Sequence, residues 1–322
     1  MKNYILDTDL GGDCDDATAI ALLNKFYNNK RINILGMMYS NSNEKGAKLV
    51  KEINKYYHND FRVGLLKDNE LQIDYYIDIA SKALDILNVK TSKDEFENAN
   101  DMLYEILTNS CEKGANIICV GQLRNIANFL NSSFNGLSGA DIFNKKVECL
   151  YIMGGYFNQK DDYFMVGDLK LYGEYNIVTD LESAKTVINK VKTEMVFSDF
   201  EVGLNILTFS KLSTNYDSKN PVSIAYKVFE NGPRHSWDPL TVLYSLVGDN
   251  EYFMTKRGSI NLSEKGRTFF TIDDNSNIRI VILRKTKEET AKYLESFFSD
   301  ELWLFKIYSF FDILKGLNQP LF

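Results

Sequence analysis

The chain has 322 residues, 44% of them hydrophobic and 13% aromatic, which is enough apolar material for a sizeable core. Its net charge of −7 and sequence pI near 5.1 argue against a surface that tracks nucleic-acid phosphates. No run of about 18 apolar residues offers a membrane span, and the four scattered cysteines (Cys14, Cys111, Cys119, Cys149) lack a CxxC pair and read as reduced thiols.

The opening MKNYILDTD enters a strand pattern directly, without signal-peptide features, so a cytoplasmic protein is expected. Tyr4-Ile5-Leu6 is a strand candidate that runs into aspartates and glycines, and helical spacing follows from Ala17 through Leu23. A second strand is expected from Ile32 to Tyr39, then a helix from Ala47 to Tyr57 and a strand at Val63-Gly64-Leu65-Leu66. The stretch from Asp68 to Asn98 is polar, with room for one helix. Met102 to Cys111 reads as helix, Asn116 to Val120 as a buried strand, and Asn125 to Leu130 as helix again. Val147 to Met153 is a strand that ends in Gly154-Gly155, Leu181 to Val191 a helix, and Glu194 to Phe197 a strand. Thr268 to Ile272 and Ile278 to Leu283 flank Asp273-Asp274-Asn275-Ser276-Asn277, which predicts an edge hairpin. Strands alternating with helices predict an α/β fold. The expectation is an open, mainly parallel, Rossmann-like sheet with helices on both faces and a small antiparallel edge hairpin. No linker or repeat divides the chain, so a single domain over residues 1–322 is expected.

The segment Asp7-Thr8-Asp9-Leu10-Gly11-Gly12-Asp13-Cys14-Asp15-Asp16 packs five carboxylates into ten residues. Such a loop needs a cation or raised pKa values. Helix capping would use one aspartate and leave Asp7 and Asp9 without a role. Oxygen donors without nearby His or Cys point to Ca²⁺ or Mg²⁺ and away from zinc.

This segment resembles the N-terminal signature of the nucleoside hydrolase family. The first pair is Asp7 and Asp9, the glycine is Gly11, and the pair that opens a helix is Asp15 and Asp16. Leu10 stands where the family often has proline, and Asp13 is an extra carboxylate in a lengthened loop. The resemblance continues along the chain. Val120-Gly121-Gln122-Leu123-Arg124-Asn125 is similar to a turn whose backbone carbonyl, here that of Val120, reaches the metal. Met153-Gly154-Gly155 with Gly173-Glu174-Tyr175-Asn176-Ile177 is similar to the sugar-binding stretch. Strand alternation is expected to turn Glu174 and Asn176 to one face. Asp168 falls where the family has an asparagine on ribose, and Asn41 matches another sugar contact. Ser236-Trp237-Asp238-Pro239-Leu240 resembles the distal metal motif, with Trp237 where many relatives carry histidine.

The resemblance implies one Ca²⁺ held by Asp9, Asp16, Asp238 and the Val120 carbonyl. Asp9 (or Asp15) would act as general base, and Asp15 would bond a sugar hydroxyl. The substrate would be a small-molecule nucleoside, with neither nucleic acid nor membrane as partner, and the assembly a homodimer or homotetramer. Trp cannot protonate a leaving base, so that role stays open between His235, a phenol such as Tyr172 or Tyr175, and no acid. Trp237 itself would either stack on a base or pack in the core. Two other classes compete, a Mg-dependent phosphohydrolase built on Asp7-Thr8-Asp9 and a non-catalytic nucleoside or sugar binder.

Overall fold

The computed structural model describes residues 1–67, 78–92, 95–110, 114–166, 169–229 and 232–298. The apolar runs become one ten-stranded sheet. Its strands in chain order are β1 (Lys2–Thr8), β2 (Ile32–Tyr39), β3 (Val63–Leu65), β4 (Glu97–Asn98) and β5 (Ala115–Cys119), then β6 (Val147–Met153), β7 (Glu194–Ser198), β8 (Phe253–Leu262), β9 (Thr268–Ile272) and β10 (Ile278–Leu283). Their spatial order is β9-β8-β10-β7-β6-β5-β1-β2-β3-β4, and every pairing from β10 to β4 is parallel.

Central parallel strands are buried on both faces, which is why they read as unbroken apolar runs. Tyr4 and Leu6 of β1 join the core on one face, and Ile5 joins the core on the other. The helices Asp15–Asn28 and Trp237–Val247 cover the first face through residues such as Ile20, Leu240 and Leu243. Arg124–Asn131 and Leu181–Lys190 cover the second through Ile126, Leu130 and Val187. No helix among the described residues is long and apolar enough to cross a membrane.

The expected edge hairpin exists, but between other partners. Thr268–Ile272 and Ile278–Leu283 do not pair with each other; β8 lies between them, antiparallel to both. That strand, Phe253–Leu262, escapes sequence reading because only Phe253, Gly258 and Ile260 are buried and polar Lys256, Arg257 and Ser259 break any apolar run. The helix expected from Met102 to Cys111 is an α-helix over Ala99–Glu105 that widens into a π-helical turn, Ile106–Ser110; Cys111 lies outside the described residues. Within the polar stretch before it, Asp78–Leu87 is helical.

Candidate active site

The chain fills β1 to β4 on one side of the sheet, then returns to place β5 on the other side of β1. Strand order reverses there, and open α/β sheets bind ligands at that point, beyond the carboxyl ends of the strands. Backbone bonds bring those ends level. The Asp7 carbonyl accepts from Val120 N–H at 2.8 Å and the Thr8 carbonyl from Ser40 N–H at 2.9 Å. The acidic loop leaves β1 at this level and enters a helix at Asp15.

Asp15 and Asp16 form the first turn of that helix, and Asp238 lies in the first turn of Trp237–Val247. One oxygen from each of the three carboxylates falls within 4.8 Å of the others, and all three side chains are buried. Asp15 Oδ2 accepts from Asp238 N–H at 3.0 Å, joining positions 223 residues apart. The Thr8 hydroxyl donates to Asp16 Oδ1. Burial first, and then repulsion among Asp9, Asp13, Asp15 and Asp16, pushes the Asp238 carboxyl well above its ordinary range; burial does the same to Asp15 and Asp16. Two helix N-termini face this cluster and offset part of its charge.

Asp9 is held by Gln122, whose Nε2 donates to Oδ2 at 2.9 Å. Burial lifts its carboxyl to about 6, against the pull of that hydrogen bond. Only a glycine fits behind it. A methyl group on Gly121 would lie 2.8 Å from both Cβ and Cγ of Asp9. Asp7, by contrast, is fully buried away from the cleft wall and bonded by Asn125 Nδ2 at 2.9 Å.

Glu174 and Asn176 also line this cleft, but not as alternating strand residues. Glu174 is the N-cap of a short helix, Tyr175–Val178, and Asn176 lies within it. A glycine turn followed by Glu-Tyr-Asn reads as strand by alternation, whereas the carboxylate satisfies the orphan N–H groups of a helix start. Glu174 accepts from Asn176 N–H at 2.8 Å, Gly155 N–H at 3.1 Å and Ile177 N–H at 3.3 Å. Burial nonetheless raises its carboxyl to about 7. Asn176 Nδ2 donates to the Val120 carbonyl at 3.1 Å and the Met153 carbonyl at 3.3 Å, which ties the helix to the ends of β5 and β6.

The cleft encloses about 590 Å³, and its lining holds a cluster of acids and a cluster of aromatic rings. Phe164, Phe200, Phe229 and Trp237 furnish the aromatic wall, with Ile79 and Lys82 from the helix Asp78–Leu87. Trp237 both lines the cleft and packs internally. Its ring stacks on Phe200 at 5.3 Å between centroids, and its Nε1–H donates to the Phe200 carbonyl at 2.8 Å. Arg234 grips Asp13 through Nε at 2.8 Å and through Nη2. His235 lies against Trp237, but its Nδ1 accepts from Asn205 N–H at 2.8 Å and it is not among the described wall residues. Nor are Tyr172 and Asn41; the Asn41 side chain accepts from Asn43 N–H at 3.0 Å where a helix begins. Asp168 lies outside the described residues. Tyr175 is in the wall.

Sequence reasoning missed Gln122 as the holder of Asp9, Arg234 as the partner of Asp13, and the phenylalanine wall. Of these, Gln122 stood inside the recognised turn Val120-Gly121-Gln122-Leu123-Arg124-Asn125, and Arg234 lay four residues before Asp238.

Three buried carboxylates with an oxygen each within 4.8 Å of the others, and no imidazole or thiol in the group, form a donor set for a hard cation. The positive side chain in the cleft that grips an acid, Arg234, is engaged with Asp13 and not with the triad. A divalent oxygen-seeking ion therefore fits the residues present.

The family model described as inosine-uridine preferring nucleoside hydrolase matches residues 4–303. No curated protein matches the chain. Among solved structures, the inosine-uridine preferring nucleoside hydrolase of Bacillus anthracis superposes with a TM-score of 0.68 at 19% identity, covering 92% of this chain and 99% of that one. A plant nucleoside hydrolase gives 0.68 at 17%, covering 92% and 98%. The purine-preferring ribonucleoside hydrolase of Gardnerella vaginalis gives 0.66 at 17%, covering 91% and 96%. At these identities the superpositions show a shared fold.

Proposed function

The chain belongs to the inosine-uridine preferring nucleoside hydrolase family, whose members act on N-glycosyl compounds, and from that premise we propose that it hydrolyses a ribonucleoside-like substrate to free base and ribose. The observation that carries the reading is the meeting of Asp15, Asp16 and Asp238 in the cleft that also holds Glu174 and Asn176.

In this reading Ca²⁺ is the cofactor, held by Asp9, Asp16, Asp238 and the Val120 carbonyl. When bound, the ion neutralises the cluster, orients sugar hydroxyls and acidifies water. Asp9 takes a proton from the attacking water as general base. Asp15, positioned by the Asp238 N–H, accepts from a sugar hydroxyl. Glu174 and Asn176 hold the sugar from the opposite wall. As the base departs, positive charge develops on the sugar ring, and the carboxylates of Glu174 and Asp9 stabilise it. Water arriving from the carboxylate side inverts the anomeric carbon. The aromatic wall, Trp237 included, receives the base. The reading also has the enzyme work in the cytoplasm as a homodimer or homotetramer, an assembly that light scattering would size.

The test is direct. Inosine, uridine, adenosine, guanosine and cytidine are incubated with the protein and Ca²⁺, and free base and reducing sugar are measured together. Equal release of both, abolished by a chelator and restored by Ca²⁺, is expected. Calcium-dependent binding without turnover would instead make the protein a binder, and phosphate release from nucleotides without base release would make it a phosphohydrolase.

A further inference from the structure

A base that leaves the sugar takes the bonding electron pair with it, so the aromatic wall of the cleft must supply a proton or a positive charge. The carboxyl groups are already assigned to the sugar, the ion and the attacking water in the reading above. Trp237 spends its N–H on the Phe200 carbonyl, His235 is outside the described wall, and the Tyr175 phenol in the wall is a weak acid without positive charge. Among the described residues two cationic side chains line the cleft, Lys82 and Arg234. Arg234 is the one on the aromatic wall, its guanidinium carbon 5.1 Å from the Trp237 ring centroid and 4.6 Å from that of Phe229.

We propose that Arg234 stabilises the departing base as an anion, in place of protonating it; this rests on the nucleoside-hydrolysis reading above. A guanidinium has five N–H donors in a planar fork. Asp13 occupies the Nε edge and Nη2, and among the described residues no acceptor bonds Nη1. The side chain is 21% exposed, clamped by the ion pair and stacked on two rings. A charge held this way needs no reorganisation when negative charge appears beside it. Asp13 thereby gains a purpose. The extra carboxylate of the lengthened loop ties Arg234 to the same loop that carries Asp9 and Asp15.

The step balances without an acid. The C–N bond breaks and its electron pair stays on the base nitrogen. Hydroxide from water joins the anomeric carbon and the water's proton goes to Asp9. The base anion, hydrogen-bonded to Arg234, takes a proton from solvent as it is released, and Asp9 returns its proton to solvent. Arginine keeps its own proton throughout, because a guanidinium is too weak an acid to release it.

Leaving-group ability separates this role from a structural one. The full-length protein with Ca²⁺ is assayed on inosine, on uridine and on p-nitrophenyl β-D-riboside, whose nitrophenolate departs without help. Arg234→Met is expected to lower kcat on the faster nucleoside by about 100-fold or more and on the nitrophenyl riboside by less than about 5-fold. Arg234→Lys should recover part of the nucleoside rate, and Asp13→Asn, which keeps the cation but loosens it, should fall between wild type and Arg234→Met. Equal losses on both substrate types, or none on either, overturn the proposal. So does a selective nucleoside loss in Lys82→Met or Tyr175→Phe with Arg234→Met unaffected. If Arg234→Met fails to fold, the Lys and Asn variants still decide the matter by the same ratio. A wild-type protein that cleaves none of the three substrates refutes the hydrolase reading itself, a different result from a flat ratio.

Discussion

Gly121→Ala tests the position of Asp9 without touching its chemistry. Gly121 follows Val120 at the end of β5, and its missing side chain leaves the space that Asp9 fills. A methyl there would stand 2.8 Å from Asp9 Cβ and Cγ and 2.6 Å from Ser40 Oγ. Carbon atoms pack best at about 3.5 Å, so Asp9 must retreat by roughly 0.7 Å from the 2.8 Å contact. The retreat also pulls against the bond from Gln122. A misplacement of about 1 Å at a reacting group costs about 100-fold, so kcat/KM should drop roughly 10- to 100-fold, chiefly in kcat. Overpacking adds a stability loss of about 1–3 kcal/mol. Initial rates of base release and thermal melts measure the two effects separately. The double variant Asp9→Ala/Gly121→Ala supplies the control for rate: the methyl still meets Cβ of residue 9 and Ser40 Oγ, but a rate loss that runs through the carboxylate cannot recur once that group is gone. Wild-type kcat in Gly121→Ala refutes the reasoning, and so does a second, independent loss in the Asp9→Ala background.

Asp16→Asn removes one of the mutually repelling buried carboxylates, so the metal-free variant should melt higher than metal-free wild type. It should also forgo the gain from Ca²⁺, about 2.7 kcal/mol in wild type at 100 times the dissociation constant; calorimetry that finds the full gain in the variant would remove Asp16 from the ion's shell. Asp199 caps the helix Phe200–Gly203, and burial lifts its carboxyl from 3.8 to about 7. The folded state therefore disfavours the charged form, a penalty absent below pH 3.8 and complete above about 7. Wild-type stability should decline relative to Asp199→Asn as pH rises through that window, and parallel profiles of the two would show that the carboxyl does not titrate there. Arg124→Met leaves Asp180, whose side chain is 3% exposed, without the arginine that holds it at 2.7 Å. A loss of about 2–4 kcal/mol in denaturant unfolding is expected, with kcat at 25 °C unchanged; a loss under about 0.5 kcal/mol would rank the pair with exposed ones.

Sequence reading succeeded where a property repeats locally. The apolar runs at Ile32–Tyr39, Val147–Met153 and Glu194–Phe197 became central strands, because a strand covered on both faces needs apolar residues on both. It failed where a strand is half exposed, as in Phe253–Leu262, and where an acid caps a helix, as Glu174 does. The acidic loop was legible by its unusual charge density, which local chemistry cannot neutralise. Its partners were less so. Gln122 reaches Asp9 across 113 residues and Arg234 reaches Asp13 across 221, and contacts over such distances leave no periodic trace in a single sequence.

Charge neutralisation explains why the lengthened loop does not simply add another ligand. Six acids converge here, Asp9, Asp13, Asp15, Asp16, Glu174 and Asp238. Glu174 accepts three backbone N–H groups and Asp13 is paired with Arg234, so neither depends on an ion. Asp15, Asp16 and Asp238 are the acids that share one small volume; the Asp238 N–H, the Thr8 hydroxyl and two helix ends relieve them, and the Arg234 charge and the Trp237 backbone N–H also act on Asp15. Those dipoles offset a fraction of a charge each, well short of three carboxylates. A divalent cation closes most of that gap. An arginine turned inward toward the triad would close part of it too, but would occupy the space where a sugar must bind. Pairing Arg234 with Asp13 instead keeps the guanidinium against the aromatic rings, so the acid cluster stays open to an ion while a fixed positive charge stands beside Trp237 and Phe229.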